Sequence, residues 1–223
     1  METQVLTSWS GGKDSCFACY RAIASGLKVS HLLNTVTEDG KRSWVHGLPV
    51  ELLQMQSKAI GIPLVQRPMT MDNYEAEFKD AILTLKQEGV KGGVFGDIDV
   101  EEHREWVHRI CRQMDIAPYL PLWGQNQESI LRDFIDSGFE AVIVVARADL
   151  FGEEWLGRRV DQNFLSQLKQ QFKMPLCGEA GEYHTFVVNG PLFNQRIEIL
   201  ETNKVLREDY WFLEILRYAL RTK

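Results

Sequence analysis

The feature that most constrains the fold is an alternation of short apolar runs with longer helix-type segments through the first half of the chain. Runs typical of β-strands lie at residues 5–9, 29–36, 64–69 and 92–97, and helix-type segments lie at residues 14–25, 49–60 and 72–88. Strands that alternate with helices predict a parallel sheet covered on both faces. The fold class predicted for this half is therefore α/β.

Punctuating residues predict where these helices begin and end. In the segment 72–88, one helical face carries apolar side chains at residues 74, 78, 82 and 85. Asp72, followed three residues later by Glu75, predicts a capping box at its start. Gly61 and Gly89 occupy positions that favour the left-handed end of a helix.

A change of pattern at "PYLPLWG", residues 118–124, predicts a domain boundary, because two prolines and a glycine interrupt the alternation. We therefore expect domains at residues 1–123 and 124–223. In the second, helices are predicted at residues 127–137 and 161–172, and a strand at 141–149. A glycine-rich segment at 177–186 leads into strand-type sequence, so a smaller C-terminal α/β domain is expected.

Composition excludes several classes of protein. The 223 residues are 44% hydrophobic, enough for a real core. The longest apolar run is "AVIVVA", at residues 141–146, far short of the roughly 20 residues that span a bilayer. The net charge of −6 argues against a nucleic-acid partner. The N-terminus does not resemble a secretory leader and the four cysteines form no disulfide framework, so we predict a cytoplasmic protein without membrane partners.

The segment "SWSGGKDS", residues 8–15, joins the first predicted strand to the first predicted helix. Unpaired backbone N–H groups and the helix dipole make such a junction an anion site, and phosphate is its natural ligand. The spacing fits neither the Walker A pattern nor G-x-G-x-x-G. Gly11 and Gly12 allow close approach of phosphate oxygens, Ser10 and Ser15 offer hydroxyl donors, and Lys13 offsets negative charge.

Asp14 follows directly and would repel phosphate unless a cation lay between them. Because Mg²⁺ binds through one or two carboxylates together with phosphate oxygens, Asp14 is predicted as its ligand. We expect the side chains of Lys13 and Asp14 to be exposed in the loop. The alternative for this segment is a glycine turn with a solvated Lys and Asp.

Two segments further along predict additional site residues. Gly96 and Asp97 end a predicted strand, where ligands of parallel sheets bind, although an ordinary turn with Asp97 or Asp99 as helix N-cap explains them equally well. In the following helix, Arg104 and His108 are four residues apart and either face the ligand together or form a solvated pair. The apolar face of this helix is predicted from its periodicity and comprises Trp106, Val107, Ile110, Cys111 and Met114. His103, at the edge of that face, is expected to pack in the core.

The third segment, "GEAGEYHT" at residues 178–185, gathers polar groups that a plain turn does not need. Glu179 and Glu182 are followed by His184 and Thr185, and Gly178 indicates a sharp bend or close approach to a ligand. A helix-capping loop with surface glutamates is the competing interpretation. For the C-x-x-C pair at Cys16 and Cys19, buried small side chains are favoured over a metal or sulfur-carrier site.

The "SGGKDS" loop resembles the pyrophosphate loop of the N-type ATP pyrophosphatases. Together with "GDI", "YLPLW", "GEAGEYHTF" and "NGPLF", it makes nearly the whole chain similar to the diphthine–ammonia ligase family of that superfamily. The resemblance implies a Rossmann-like PP-loop domain that carries ATP and a second domain that helps form the substrate cleft. It also implies adenylation of a carboxylate, with release of pyrophosphate, and its amidation by ammonia. The implied acceptor is diphthine, a modified histidine on translation elongation factor 2.

On this resemblance, the predicted catalytic residues are Lys13, Asp14, Glu179, Glu182 and His184. The predicted ATP-binding residues are Ser10, Gly11, Gly12, Lys13, Ser15, Gly96 and Asp97, and the predicted substrate-binding residues are Arg104, His108, Gly178, Glu179 and Thr185. The cofactors are ATP and Mg²⁺, with Asp14 as metal ligand. His184 after "GEY" departs from the eukaryotic form, so the protein substrate stays open.

Two other functions remain open at this point. One is a PP-loop enzyme that modifies tRNA by thiolation, and the other is a sensor that binds ATP without turnover. The source of ammonia is solution or a partner, because 223 residues leave no room for a glutaminase domain beside the two predicted ones. A homo-oligomer is among the options for the assembly.

Overall fold

Five strands from the first half of the chain form one parallel sheet in the computed structural model, which describes residues 2–172 and 174–223. The strands are β1 (Gln4–Ser8), β2 (Lys28–Val36), β3 (Leu64–Pro68), β4 (Gly92–Val94) and β5 (Ala117–Tyr119). Their order across the sheet is β3-β2-β1-β4-β5. The helices between them are α1 (Lys13–Ala24), α2 (Val50–Ile60), α3 (Tyr74–Gln87) and α4 (Glu101–Gln113). The predicted Rossmann-like α/β fold is confirmed.

The strand order creates a switch point in this sheet. The chain builds outward from β1 through β2 to β3, and then returns to place β4 on the other side of β1. The connections that follow β1 and β4 therefore leave the sheet in opposite directions, and a crevice opens between them at the carboxyl ends of the two strands. This edge carries "SGGKDS" after β1 and Gly96–Asp97 after β4.

The periodicity of α3 and α4 predicts the core of this unit correctly. Phe78, Ile82 and Leu85 of α3 and Val107 and Ile110 of α4 are buried in one apolar cluster. Phe78 lies at its centre, with ring centroids 6.3 Å from Phe95 and 5.2 Å from Trp106. The cluster also contains Leu6 of β1 and Leu33 of β2, so it packs the two helices against the sheet.

Helix ends agree with the sequence prediction in one place and differ in another. Gly61 ends α2 in the left-handed conformation, at φ +85°, and its N–H donates to the Ser57 carbonyl. The capping box at Asp72 is wrong, because α3 begins at Tyr74 after Asn73. The Asn73 side chain accepts from Thr70 N–H, and the Thr70 hydroxyl accepts from Asn73 N–H. The N-cap is therefore Asn73, one residue later than predicted.

The proline-containing stretch that predicted a boundary contains a strand. Ala117–Tyr119 pairs with β4 as β5 at the edge of the sheet, a position that tolerates Pro118 because one side of an edge strand needs no ladder hydrogen bond. Beyond it, the chain divides into two compact units after Trp123. The first unit comprises the chain up to Ser10 and Asp14–Trp123, and the second comprises Gly11–Lys13 and Gly124–Lys223.

The second unit is built on an antiparallel sheet. Its strands are β6 (Glu140–Arg147), β7 (Tyr183–Asn189), β8 (Gln195–Arg207) and β9 (Tyr210–Thr222), in the order β7-β6-β9-β8. The helices are α5 (Gln127–Asp136) and α6 (Gln162–Gln171), with a short 3-10 helix at Glu153–Trp155. Strands β8 and β9 form a long hairpin whose turn places Glu208 at φ +50°.

Aromatic side chains form much of the core of the second unit. They contact one another with centroids 4.7–6.2 Å apart and comprise Phe151, Trp155, Phe164, Phe172 and Tyr183. Tyr183 thus anchors the start of β7, directly after the glycine-rich segment. None of the helices in the described parts of the chain has the length and apolar character needed to span a bilayer.

The position of Phe78 leads to a stability prediction. Phe78 is 0% exposed, so Phe78→Ala leaves a cavity between α3, α4 and the sheet and should lower the free energy of unfolding by about 3–5 kcal/mol. Leu83, on the same helix but 51% exposed, is the matched control, and Leu83→Ala should cost less than about 0.5 kcal/mol. Urea unfolding monitored by circular dichroism measures both. Equal losses would contradict the assigned core.

Candidate functional site

The loop after β1 joins a glycine turn to the N-terminus of a helix. Gly11 and Gly12 are buried, and Gly11 adopts φ +79°, a conformation that glycine takes without strain. Helix α1 begins immediately afterwards, at Lys13. The hydroxyl oxygens of Ser10 and Ser15 lie 3.1 Å apart in a hydrogen bond. The strand, turn and helix N-terminus therefore follow one another as the sequence predicts, with both hydroxyls side by side.

Gly96 packs directly against the first turn of α1. A Cβ atom at this position would lie 2.9 Å from the carbonyl carbon of Asp14 and 3.0 Å from the backbone nitrogen of Ser15. These are backbone atoms at the start of a helix and cannot move aside as a side chain can. Only glycine fits here, which brings the end of β4 against the loop that follows β1.

Lys13 differs from its sequence prediction. We expected an exposed side chain, but the residue is 3% exposed. Its Nζ donates a hydrogen bond to the Cys177 carbonyl and lies 5.1 Å from the centre of the Tyr183 ring. Burial of an ammonium group requires such partners, because an unpaired charge in the interior is costly. The sequence could not reveal them, since they lie more than 160 residues away.

Backbone contacts of the same loop reach the same segment. Lys13 N–H donates to the Thr185 hydroxyl at 2.9 Å, and Val187 N–H donates to the Gly11 carbonyl at 3.0 Å. Thr185 is 2% exposed. Residues Gly11–Lys13 are therefore part of the second unit, where they contact Thr185 and Val187.

The glycine-rich segment itself is tightly constrained. Gly178 has φ +73°, and a Cβ there would lie 2.8 Å from the Tyr183 carbonyl oxygen. Just before it, Cys177 N–H donates to the Gln127 side chain at 2.8 Å, and the Tyr183 hydroxyl donates to the Leu176 carbonyl at 2.6 Å. The close approach that its glycines predict is thus made by Tyr183. Such a framework orients the Cys177 carbonyl that receives Lys13.

The two glutamates of this segment occupy different environments. Glu182 is 5% exposed and its carboxylate accepts from Ala180 N–H at 3.1 Å, so it stabilises the turn in which it lies. Glu179 is half-buried. The competing interpretation, a helix-capping loop with surface glutamates, does not describe Glu182, which is buried and precedes a strand.

His184 lies close to Lys13, and its pKa is lower than that of an ordinary histidine. Burial, together with the positive charge of Lys13, lowers the pKa of His184 from 6.5 to about 4. The imidazole is therefore neutral near pH 7, so it can donate one hydrogen bond and accept another without adding positive charge. A base of such low pKa is weak at neutral pH, which favours an orienting role over proton abstraction.

The position of Asp14 shows whether the structure suits the predicted Mg²⁺. It occupies the first turn of α1 in the first unit, beside Ser15. The residue is half-buried, whereas the sequence predicted an exposed side chain. Among the described residues, no group of three or more His, Cys, Asp or Glu side chains could hold a metal ion on its own. The single carboxylate of Asp14, in the first turn of α1, fits a Mg²⁺ ion that takes its other ligands from phosphate and water.

The residues that follow Gly96 depart from expectation in several ways. Helix α4 begins after Val100 without a side-chain cap, so neither Asp97 nor Asp99 is its N-cap. Asp97 instead pairs with His103, whose Nδ1 lies 3.3 Å from its carboxylate. His103 is 54% exposed, and the prediction of a core histidine is wrong. The sequence prediction placed His103 beside the buried face of α4, whereas the first turn of the helix leaves this side chain exposed.

Arg104 and His108 line a shallow groove on the outer face of α4. The Arg104 guanidinium contacts the Glu101 carboxylate at 3.3 Å and lies 5.2 Å from the centre of the Trp123 ring. His108 is exposed. Both residues therefore belong to a polar surface of the helix. Their predicted role in substrate binding rests on the sequence resemblance and gains nothing from this geometry.

A cavity of about 540 Å³ opens at the switch point of the parallel sheet. Its wall starts at Ser8, the last residue of β1, and includes Phe95 and Asp97, which follow β4. Trp44, Tyr74 and Trp106 line it as well, and sequence reasoning missed all three as site residues. Periodicity places Tyr74 and Trp106 on apolar helix faces, which is typical of core residues. Trp44 lies in the connection after β2, and a tryptophan in a loop was the one sequence feature that could have indicated a site there.

The cysteines behave as structural side chains. Cys16 and Cys19 are both 0% exposed, and burial raises the pKa of the Cys19 thiol to about 12. Burial also raises the pKa of Cys16 well above its usual value. Thiols with such pKa values are poor nucleophiles and poor metal ligands. The preference for buried small side chains over a metal or sulfur-carrier site is confirmed.

Comparison with known proteins gives the family. The model of the diphthamide synthase N-terminal domain matches residues 1–118, and that of the diphthamide synthase C-terminal domain matches residues 126–220. The chain belongs to the diphthamide synthase family. The diphthine–ammonia ligase of Homo sapiens is 30% identical, over 88% of this chain and 82% of the human one. That of Danio rerio is 27% identical, over 92% and 90% of the two chains.

Membership in the diphthamide synthase family bears on the predicted chemistry. Relatives named diphthine–ammonia ligase confirm the prediction of an ATP-dependent ligase that forms a carbon–nitrogen bond, ahead of tRNA thiolation and of a sensor without turnover. Among solved structures, the chain is similar to a predicted subunit of a tRNA methyltransferase from Methanocaldococcus jannaschii. That likeness has a TM-score of 0.46 and 15% identity, over 85% of this chain and 98% of the other.

The pKa of His184 gives a testable prediction. The imidazole resonances of His184 should titrate near pH 4 in NMR spectra, and Lys13→Met should raise the midpoint because it removes a nearby positive charge. Lys169→Met, which removes an exposed charge of the same unit paired with Glu128, is the control and should leave the midpoint in place.

The same shift predicts how stability depends on pH. The unfolded chain binds the proton with a pKa of 6.5 and the folded chain with a pKa of about 4. Stability therefore falls as the pH decreases from about 6.5 to about 4 and levels off below. His184→Asn should remove this part of the pH dependence in urea unfolding. A midpoint near 6.5 in the wild-type protein would contradict the buried position of His184.

Proposed function

We propose that this chain uses ATP to amidate the carboxylate of diphthine with ammonia. The single observation that carries the proposal is the position of Lys13, because this residue of the phosphate-type loop, at the N-terminus of α1, is held by the C-terminal glycine-rich segment. A ligase must grip a nucleotide and recognise an acceptor with residues that act together. Here Lys13, a candidate residue for phosphate, is in direct contact with Thr185, a candidate residue for the acceptor.

The reaction has two steps. An oxygen of the acceptor carboxylate attacks the α-phosphorus of ATP, the bond to the β-phosphate oxygen breaks, and pyrophosphate leaves. Ammonia then attacks the acyl carbon of the resulting acyl-adenylate, AMP leaves with the shared oxygen, and a proton passes from nitrogen to solvent. Charge builds up on phosphate in the first step, so preorganised donors around it lower the barrier.

We assign the phosphate groups of ATP to the loop between β1 and α1. Gly11 and Gly12 present backbone at close range, and Ser10 and Ser15 present hydroxyl groups. Lys13 supplies the positive charge that offsets charge on the leaving pyrophosphate. Gly96 acts indirectly, since its missing side chain allows the first turn of α1 to sit against the end of β4. Asp97, predicted from the sequence to contact ATP, lines the neighbouring cavity.

Asp14 is the residue that would hold Mg²⁺. When bound, the ion supplies positive charge that neutralises phosphate oxygens. Asp14 lies one residue after Lys13, at the start of α1, so its carboxylate is positioned by the same helix turn that presents the phosphate-binding groups.

We assign the acceptor side to the segment that contacts Lys13. Glu179 is half-buried and accessible to a ligand, and neutral His184 orients by hydrogen bonding. Gly178, Thr185 and Glu182 build the turn that carries them. Residues 124–223 thus contribute acceptor recognition and residues 1–123 contribute most of the ATP site. Translation elongation factor 2 as carrier of the diphthine, a cytoplasmic location and a homo-oligomer stay predictions.

Substitutions in the phosphate loop test the ATP assignment. Lys13→Ala and Asp14→Asn should each lower the rate of acceptor-dependent AMP formation from α-labelled ATP by about 100-fold or more, because each removes one preorganised charge from the transition state. Lys169→Ala, an exposed lysine paired with Glu128, is the control. Pyrophosphate release at the wild-type rate by either loop variant would overturn the assignment. A gel shift of tRNA together with AMP formation on tRNA would favour the thiolation alternative.

A change on the acceptor side should separate binding from chemistry. Glu179→Gln should keep the ATP affinity of the wild-type protein and lose amidation, because the carboxylate is assigned to the acceptor and not to phosphate. Equilibrium dialysis with ATP measures the affinity, and mass spectrometry of the acceptor measures the product. Glu128→Gln, which changes a half-buried glutamate of α5 in the same unit, controls for loss of charge. Equal loss of ATP affinity in Glu179→Gln would show that this segment serves the nucleotide.

A further inference from the structure

A glutamine interrupts the buried apolar face of α2. Gln56 lies four residues after Leu52 and three after Leu53, on the side of the helix that packs inward, and it is 0% exposed. A buried amide side chain is costly unless its polar atoms are hydrogen-bonded, and an apolar side chain of similar size would avoid that cost. Packing alone therefore does not account for a glutamine at this position, and its hydrogen bonds have to be considered.

The partner of Gln56 is Trp9, the residue that follows β1 and leads into the phosphate loop. The indole N–H of Trp9 donates to the side-chain oxygen of Gln56 at 2.8 Å, and Trp9 is itself 2% exposed. Because both side chains are buried, bulk water does not compete for the donor or for the acceptor. The bond therefore fixes the orientation of the indole ring against α2.

The backbone of Trp9 is held as firmly as its side chain. Its N–H donates to the Leu33 carbonyl at 2.7 Å, and its carbonyl accepts from the side-chain amide of Asn34 at 2.8 Å. Asn34 is 2% exposed, and its side-chain oxygen accepts from the Gln66 amide at 3.3 Å. The indole, the N–H and the carbonyl of Trp9 are thus all bonded to residues of α2 and β2.

The planarity of the peptide bond carries this constraint into the phosphate loop. The Trp9 carbonyl and the Ser10 N–H belong to one planar unit, so the bond from Asn34 to the carbonyl also sets the direction of that N–H. The Ser10 hydroxyl is in turn hydrogen-bonded to the Ser15 hydroxyl at 3.1 Å. The positions of the two hydroxyl groups assigned to phosphate therefore depend on the position of Trp9.

We propose that Gln56 is a positioning residue of the phosphate loop and that it acts on ATP through Trp9. This inference rests on the proposed function, because it concerns the phosphate groups that are assigned to the loop there. Gln56 is 0% exposed, so its side chain does not touch the nucleotide. Loss of its bond to the indole releases Trp9, and donors that shift with Trp9 hold phosphate less well because hydrogen bonds weaken steeply with poor geometry.

Comparison of ATP with adenosine tests the inference on the whole chain without turnover. Gln56→Met keeps the length of the side chain and removes the acceptor oxygen. We expect this variant to bind ATP about fivefold to tenfold more weakly and adenosine as tightly as the wild type, because only ATP has phosphate groups for the loop. Equilibrium dialysis measures both affinities. Unchanged ATP affinity, or an equal loss for ATP and adenosine, would overturn the proposal.

Two control variants separate positioning from a general loss of polarity or stability. Gln87→Met makes the same chemical change at an exposed position of α3 and should bind both ligands as the wild type does. Ile82→Val shortens a side chain that is 0% exposed, so it should lower stability in urea unfolding and keep the ratio of ATP affinity to adenosine affinity. A changed ratio in Ile82→Val would count against the proposal, since destabilisation would then explain the effect of Gln56→Met.

A double-mutant cycle tests whether the effect passes through Trp9. Trp9→Phe removes the indole donor, so Gln56→Met should cause no further loss of ATP affinity in the Trp9→Phe background. Losses that multiply would contradict the proposal. If circular dichroism shows that Trp9→Phe is unfolded, the indole N–H resonance of Trp9 decides instead: in Gln56→Met it should move upfield because its acceptor is gone, and an unchanged resonance contradicts the proposal.

The outcome separates this inference from the proposed function. Affinities for ATP and adenosine are measured without an acceptor, whereas ligase activity is measured as acceptor-dependent AMP. If AMP forms but Gln56→Met keeps the ATP affinity of the wild type, the inference fails and the function stands. If Gln56→Met weakens the binding of ATP alone but no carboxylate acceptor yields AMP, the function fails and the positioning role of Gln56 stands.

Discussion

The burial of the Lys13 ammonium is the constraint on which the site depends. A positive charge that is 3% exposed has to be met by fixed acceptors, and the protein provides the Cys177 carbonyl and the face of Tyr183. Those acceptors are themselves held, by Gln127 on the Cys177 amide and by Leu176 on the Tyr183 hydroxyl. The glycine-rich segment is therefore needed to present the lysine. Burial, together with the charge of that lysine, lowers the pKa of His184 and keeps the imidazole neutral.

The parallel sheet imposes a second constraint, which is one of space. The order β3-β2-β1-β4-β5 brings the ends of β1 and β4 together, and Gly96 makes that approach close enough for the first turn of α1 to rest against it. The same reversal of strand order leaves a cavity between the connections that follow the two strands. A phosphate-type loop and an aromatic cavity are thus adjacent consequences of one topological feature.

Much of the fold of the first unit could be predicted from the sequence, because it depends on local patterns. The apolar periodicity of α3 and α4 identified Phe78 and Ile110 as core residues, and Gly61 ends α2 as expected. Errors arose where a nearby interaction competes with a local rule. Asn73 and Thr70 form hydrogen bonds with each other, and the helix therefore does not begin with the predicted cap at Asp72. Pro118 belongs to an edge strand, although proline is disfavoured in strands.

The sequence alone is enough to predict the strand–glycine–helix junction at residues 8–15, the burial of Cys16 and Cys19, and the resemblance to the diphthine–ammonia ligase family. These follow from spacing and residue type within short windows. Long-range contacts, which the sequence does not reveal, bury Lys13, leave His103 exposed beside Asp97, and bring Trp44 and Trp106 into one cavity. Each of these depends on contacts between residues far apart in the chain, and burial, charge and pKa are set by such neighbours rather than by sequence position.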